Sequence, residues 1–158
     1  MPNKNTFDMK HALEFIYKHV GTRDLSVDPF ARNSTIATVT NDFNEETIAH
    51  HHKDALEFLQ SFPSESVDVV LFDPPYSPRQ LKECYDNIGQ SLHDTKSSVW
   101  ASWKNEISRI ITPGGKCISF GWSSNGIGKT RGFELKEILL LAHGGNHHDT
   151  IITMEEKK

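Results

Sequence analysis

The stretch Val67-Asp-Val-Val-Leu-Phe72 constrains this chain more than any other. It is apolar enough to be buried on both faces and lacks the polar alternation of a strand with one wet side. Such strands belong to sheets covered on both sides, as in parallel α/β proteins. The run stops at Asp73-Pro-Pro-Tyr76. Two successive prolines fix φ and carry no N–H, so the ladder cannot continue through them. A buried strand therefore ends abruptly in an acid, two free carbonyls and an aromatic ring.

The segments around it alternate in type. From Phe7 to Val20, apolar residues at Ala12, Leu13, Phe15, Ile16, Tyr17 and Val20 are spaced for one face of a helix. Leu25-Ser-Val-Asp28 reads as a short strand, and Ile36-Ala-Thr-Val-Thr40 as a β-branched one ending in the polar turn Asn41-Asp-Phe-Asn44. Asp54 is placed to cap a helix through Leu56, Phe58 and Leu59. Ser98 to Thr112 is amphipathic and is halted by Pro113-Gly-Gly115, after which Lys116-Cys-Ile-Ser-Phe120 reads as a strand. Glu134 to Ala142 and Asp149 to Glu155 make a final antiparallel pair, joined across His143-Gly-Gly-Asn-His-His148. The pattern predicts an α/β fold, a mostly parallel sheet with a C-terminal antiparallel hairpin. In such sheets ligands sit at the carboxyl ends of the strands. Asp28, Asp42, Asp54 and Asp73 each follow a candidate strand.

Composition narrows the class. With 158 residues, 36% hydrophobic and 24% charged, the chain can build one core, and residues 1–158 are expected to form a single domain. No apolar run approaches the roughly 20 residues that cross a bilayer. Met1-Pro-Asn-Lys-Asn-Thr-Phe7 lacks the apolar stretch of a secretory leader, so a cytoplasmic protein without membrane association is expected. Cys84 and Cys117 make neither a disulfide framework nor a C-x-x-C pair and read as small hydrophobes. A net charge of −4 argues against a chain coated in phosphate-binding groups. The charge is unevenly spread: residues 1–75 carry −6, residues 76–136 carry +4 and residues 137–158 carry −2. The basic middle third is either a solvated face or a surface for a polyanion.

Asp73-Pro-Pro-Tyr76 is the motif that carries chemistry. Its rigid corner holds together an acceptor side chain (Asp73), an exposed carbonyl (Pro74) and an aromatic face (Tyr76). An exocyclic amine of a base needs that set: two acceptors take its N–H groups and keep its lone pair aimed at an electrophile, while the ring stacks. The structural alternative is a strand-ending turn whose tyrosine caps the core.

With these residues the chain resembles the SAM-dependent amino-methyltransferases that make N6-methyladenine or N4-methylcytosine. Asp28-Pro-Phe-Ala31 followed by Thr35 is similar to that family's SAM-binding loop, D-P-F-x-G-x-G-T, which implies cofactor contacts from Asp28, Pro29, Phe30 and Ala31. Asn41-Asp-Phe-Asn44 resembles the segment whose acid takes the ribose hydroxyls, pointing to Asp42, and Lys53-Asp-Ala55 the segment that contacts the cofactor adenine, pointing to Asp54 and Ala55. Asp73, Pro74, Pro75 and Tyr76 match the catalytic motif. The resemblance covers roughly residues 7–122 and implies a Rossmann-like, class I methyltransferase sheet, S-adenosylmethionine (SAM) as cofactor, direct transfer without a metal, and adenine N6 in DNA as the target. Two departures stand out: Arg32 and Ser34 occupy the loop's two glycine positions, with Asn33 between them tolerant of a left-handed backbone. No segment is long enough for the target-recognition region that the DNA enzymes carry, which suggests a partner subunit, self-association or low sequence specificity.

A nucleic-acid substrate would be met by Arg79, Lys82, Lys129 and Arg131 as phosphate contacts, with Trp100, Trp103 and Trp122 as stacking partners or core. His50-His-His52 alternates faces and reads as a strand edge rather than a metal site, and His147-His148 reads as a turn. Gly126-Ile-Gly128-Lys-Thr130 lacks phosphate-loop spacing and reads as a flexible loop at the mouth of the cleft. The helix from Phe7 to Val20 is expected beside the SAM loop, covering one edge of the sheet. The competing readings are a catalytically degenerate SAM-fold subunit or sensor, and a methyltransferase for RNA or a small amine.

Overall fold

A computed structural model describes residues 9–86, 98–142 and 149–158. The first two residues of the expected N-terminal helix and the turn His143–His148 lie outside them. Six strands form one sheet in the order β2-β1-β3-β4-β6-β5. They are β1 (Ser26–Asp28), β2 (Val39–Thr40), β3 (Val67–Phe72), β4 (Ile111–Gly121), β5 (Phe133–Leu141) and β6 (Thr150–Lys157). The first four run parallel, and β6 inserts antiparallel between β4 and β5. The expected architecture is present, with β3 at the middle of the sheet as its apolar sequence requires.

Helices cover both faces. On one, α1 (Lys10–His19) lays Ala12, Phe15 and Ile16 over Val69, Leu71 and Ile118. It also touches Ile36 and Ala37 of the β1–β2 connection. The helix thus covers a face of the sheet rather than an edge, and Lys18 and His19 tie it to Glu137 of β5 at 2.8 and 2.9 Å. On the other face lie α2 (Ala55–Gln60), α3 (Pro78–Asp86) and α4 (Ser98–Ile110). Phe58, Leu81, Trp103, Ile107 and Ile110 pack there on Val27, Val70 and Phe72.

Two local departures from the sequence reading have physical causes. The segment Pro113-Gly-Gly115 does not separate helix from strand; α4 ends at Ile110 and β4 already begins at Ile111. The three residues form a bulge, since Val67 pairs with Ile111 but Val69 pairs with Lys116. Gly114 holds φ at +78°, and a Cβ on Gly115 would stand 2.9 Å from the Asp68 carbonyl. Glycines here let the bulge fold against the strand. The second departure is the β1–β2 connection, which runs through two turns without a helix and leaves β2 only two residues long. Its Asn33-Ser-Thr-Ile36 sequence disfavours helix, and Arg32 at φ +51° breaks the chain direction.

Candidate active site

The sheet order reverses between β1 and β3. From β1 the chain goes to β2 on one side, while β3 lies on the other. In open α/β sheets that crevice, at the carboxyl ends of the strands, is where ligands bind. Asp28 ends β1 and Asp73 follows β3, so the two acids flank it.

At the β3 side, Asp73 is 7% exposed and accepts the Tyr76 hydroxyl at 2.6 Å. Burial pushes its carboxyl above the usual range; the Tyr76 bond and the Arg32 charge oppose that. Burial and the Asp73 charge raise the Tyr76 phenol further still. The corner is braced from outside: Trp100 of α4 donates its indole N–H to the Pro75 carbonyl at 2.8 Å, and the Tyr76 N–H is held by Gln80 at 2.8 Å. Pro74 is buried, and among the described residues no hydrogen bond reaches its carbonyl. Asp73 and Pro74 thus present adjacent acceptors, with the Tyr76 ring beside them. Trp122, 45% exposed, stands edge-on to that ring with centroids 5.6 Å apart.

At the β1 side, Asp28 is fully buried and its Oδ1 accepts the Phe30 N–H at 2.9 Å. Its Oδ2 has no partner among the described residues. Burial pushes this carboxyl up to about 8, with the Asp73 and Asp42 charges adding to the effect. Asp42 ties down the turn through bonds from the Arg32 and Asn44 N–H groups, both 2.9 Å. Asp54 caps α2 as expected, accepting from Leu56 and Glu57, and Ala55 opens that helix, buried. Phe30, half-buried, packs edge-on against Trp103 with ring centroids 4.8 Å apart, at the border of the core.

One organising residue escaped sequence reasoning. Asn41 is fully buried; its side chain donates to the Pro29 and Lys53 carbonyls and accepts the Lys53 N–H. Its backbone accepts the Ala31 N–H. A single amide therefore locks the segments that carry Asp28, Asp42 and Asp54. The only trace of this in the sequence is an asparagine at a strand end, a common turn residue.

Of the proposed phosphate contacts, Arg79 and Lys82 lie on α3, directly after the corner, and face solvent. Arg79 is paired with Glu83 at 2.8 Å. Lys129 and Arg131 sit in a short 3-10 turn before β5. Phe133 is in register with Lys157, and Lys116 with Glu156, so this turn is level with the amino end of β4, away from Asp73. The loop before it is no free flap either. Glu155 of β6, 3% exposed, accepts the Ile127 and Gly128 N–H groups at 2.6 and 3.0 Å, and Ile127 is buried in the core. An apolar side chain and a buried carboxylate together pin the segment that glycine content alone marked as flexible. Trp103 is core, as are Cys117 and its neighbours. His50, His51 and His52 are exposed along the Asn41–His51 bridge, and no described residues group to hold a metal.

Solved structures share this architecture. A SAM-dependent methyltransferase from Methanosarcina mazei superposes over 90% of this chain and 96% of its own, with TM-score 0.58 and 12% identity. The 1,6-didemethyltoxoflavin-N1-methyltransferase of Burkholderia thailandensis, with S-adenosylhomocysteine bound, does so over 94% and 77%, with TM-score 0.62 and 10% identity. The chain has the fold of the SAM-dependent methyltransferases. TrmN from Thermus thermophilus is similar over 84% of this chain but only 43% of its own, with TM-score 0.54 and 18% identity. No protein-family model and no curated protein matches the sequence. Within this methyltransferase fold the crevice suits a cationic cofactor. Asp28, kept largely neutral by its burial, has an Oδ2 without a partner among the described residues, and a cation beside it would favour its ionised form against the Asp42 and Asp73 charges. No helix among the described residues is long and apolar enough to cross a membrane.

Proposed function

We propose that this chain is a SAM-dependent methyltransferase acting on an exocyclic amine of a nucleic-acid base, adenine N6 in DNA first. The observation that carries the reading is the corner itself: a buried Asp73, a carbonyl on Pro74 that no hydrogen bond from the described residues reaches, and the Tyr76 ring, all at the switch point of the fold. SAM, when bound, supplies an electrophilic methyl on a sulfonium. Asp28, Asp42 and Asp54 with the Pro29–Ala31 turn and Ala55 would hold it.

The chain's own groups account for the rest. The Asp73 carboxylate and the Pro74 carbonyl accept the two N–H bonds of the amine, which keeps its lone pair free of the ring plane and directed away from them. Tyr76 stacks on the base, and its hydroxyl gives up Asp73 Oδ1 to the incoming amine. Burial makes Asp73 a stronger proton acceptor, suited to take the proton that the amine sheds. Positioning supplies most of the acceleration. A flipped-out base in a duplex costs a few kcal/mol, and Arg79 and Lys82 beside the corner are the groups to meet its backbone.

The test is nucleoside mass spectrometry after incubation with SAM and unmodified DNA, RNA or free nucleosides, with S-adenosylhomocysteine measured in the same samples. N6-methyladenine in the DNA arm, formed in step with S-adenosylhomocysteine and absent with Asp73→Ala, supports the reading. A modified base only in the RNA or nucleoside arm replaces the substrate and keeps the reaction. No S-adenosylhomocysteine and no SAM binding by calorimetry would sink the enzyme reading in favour of a degenerate subunit.

A further inference from the structure

The turn after β1 carries a cation where its shape calls for glycine. Arg32 holds φ at +51°, which L side chains adopt at a cost, and its N–H is bound by Asp42. The turn is thereby pinned and the side chain leaves it in a set direction. Half-buried, the guanidinium acts on Asp28, Asp73, the Tyr76 hydroxyl and the Cys84 thiol. The turn that carries it opens at Asp28, at the carboxyl end of β1, and its charge favours the ionised forms of both Asp28 and Asp73. Among the described residues it has no ion pair and no side-chain hydrogen bond.

A guanidinium is a planar fork of five donors shaped for two oxygens of one anion. Half-buried in the turn beside the crevice and without an ion pair among the described residues, it is a binding group in want of a ligand. Asp28, at the start of the same turn, shows the opposite lack: a buried Oδ2 with no donor among the described residues. The acid and the guanidinium influence each other without pairing. An α-amino-acid head group answers both at once, its carboxylate suiting Arg32 and its ammonium suiting Asp28. A phosphate answers only the first.

We propose that Arg32 binds the carboxylate at the amino-acid end of SAM, with Asp28 as the partner of its ammonium group, an assignment that rests on the methyltransferase reading above. Arginine at the glycine position is then no obstruction; a side-chain clamp replaces the close backbone approach that glycine allows.

Calorimetric titration of SAM and of decarboxylated SAM into the wild type, Arg32→Gly and Arg32→Lys tests this. Glycine suits the φ of the turn, so the deleting variant keeps its fold, which thermal unfolding verifies. Arg32→Gly should weaken SAM binding about tenfold or more, the loss of one charge-assisted contact. It should leave decarboxylated SAM unchanged, and Arg32→Lys should fall between. Equal losses for both ligands, or tighter SAM binding by the glycine variant, overturn the assignment. A loss confined to oligonucleotide binding overturns it too, by giving the guanidinium to a phosphate. A wild type that binds neither SAM nor S-adenosylhomocysteine defeats the methyltransferase reading itself, a result distinct from the others.

Discussion

Tyr76→Phe removes one hydroxyl and keeps the ring that is to stack on a base. The hydroxyl donates to Asp73 Oδ1 at 2.6 Å, the short distance of an O–H bond to a charged oxygen. It stabilises the ionised carboxylate against the burial that favours the neutral acid. A hydrogen bond to a charged group contributes about 1.5–3 kcal/mol, and one pKa unit corresponds to about 1.4 kcal/mol. The Asp73 carboxyl of the variant should therefore titrate about one to two units higher. Asp73 must be ionised to accept an amine N–H, so activity is lost as pH falls through its pKa. The acid limb of kcat/KM, which reports the free enzyme, should move to higher pH by that amount. Activity above the limb should stay within a few-fold, because the amine displaces the hydroxyl in the complex. The assay is S-adenosylhomocysteine release against pH for both proteins, beside a carbon-13 NMR titration of the Asp73 carboxyl. An acid limb that stays in place, or moves to lower pH, would refute this account of the corner.

Two further outcomes concern stability. The folded state holds Asp28 protonated up to about pH 8, whereas the unfolded chain releases that proton near the ordinary value of 3.8. Stability should fall as pH rises through this window, by up to about 1.4 kcal/mol per pH unit from this group. Asp28→Asn should flatten that slope, so its Tm exceeds the wild type's most at pH 8 and converges with it near pH 4; parallel curves would contradict it. Gly126 has φ +47°, and a Cβ there runs into the Glu155 carboxylate that holds the Ile127 and Gly128 N–H groups. Gly126→Ala should cost about 2–4 kcal/mol through strain and a displaced buried charge, read as a drop in chemical-denaturation midpoint. A midpoint equal to the wild type's would show that the loop is not pinned as described.

The Glu155 nest and the Arg32 turn share a feature: each fixes a segment through a partner distant in sequence. Glu155 lies 28 residues from Ile127, and Asn41 reaches Lys53 and Pro29 across 12. Such partners leave no local trace. Glycine spacing around Gly126 therefore read as freedom, and Asn41 as an ordinary turn residue. The basic residues show the same limit. Arg79 and Lys82 follow the corner in sequence and remain beside it, whereas Lys129 and Arg131 are carried by the turn before β5 to the other end of the sheet.

What the amino-acid sequence determined by itself is whatever depends on neighbours within a few positions. The apolar run of β3, the helical spacing of Phe15 and Ile16, the Asp54 cap and the rigid Asp73-Pro-Pro-Tyr76 corner all follow from local backbone chemistry and periodicity. The order of the four acids along the chain followed as well: Asp28 ends β1, Asp42 and Asp73 follow β2 and β3, and Asp54 caps α2. The tertiary structure decided which groups share a space. It seated α1 on a face through Glu137, folded Pro113–Gly115 into a bulge, brought Trp122 to Tyr76, and pinned the Arg32 turn to Asp42. The reason is physical: burial and desolvation, which tune both acids, exist only once distant strands have closed around them.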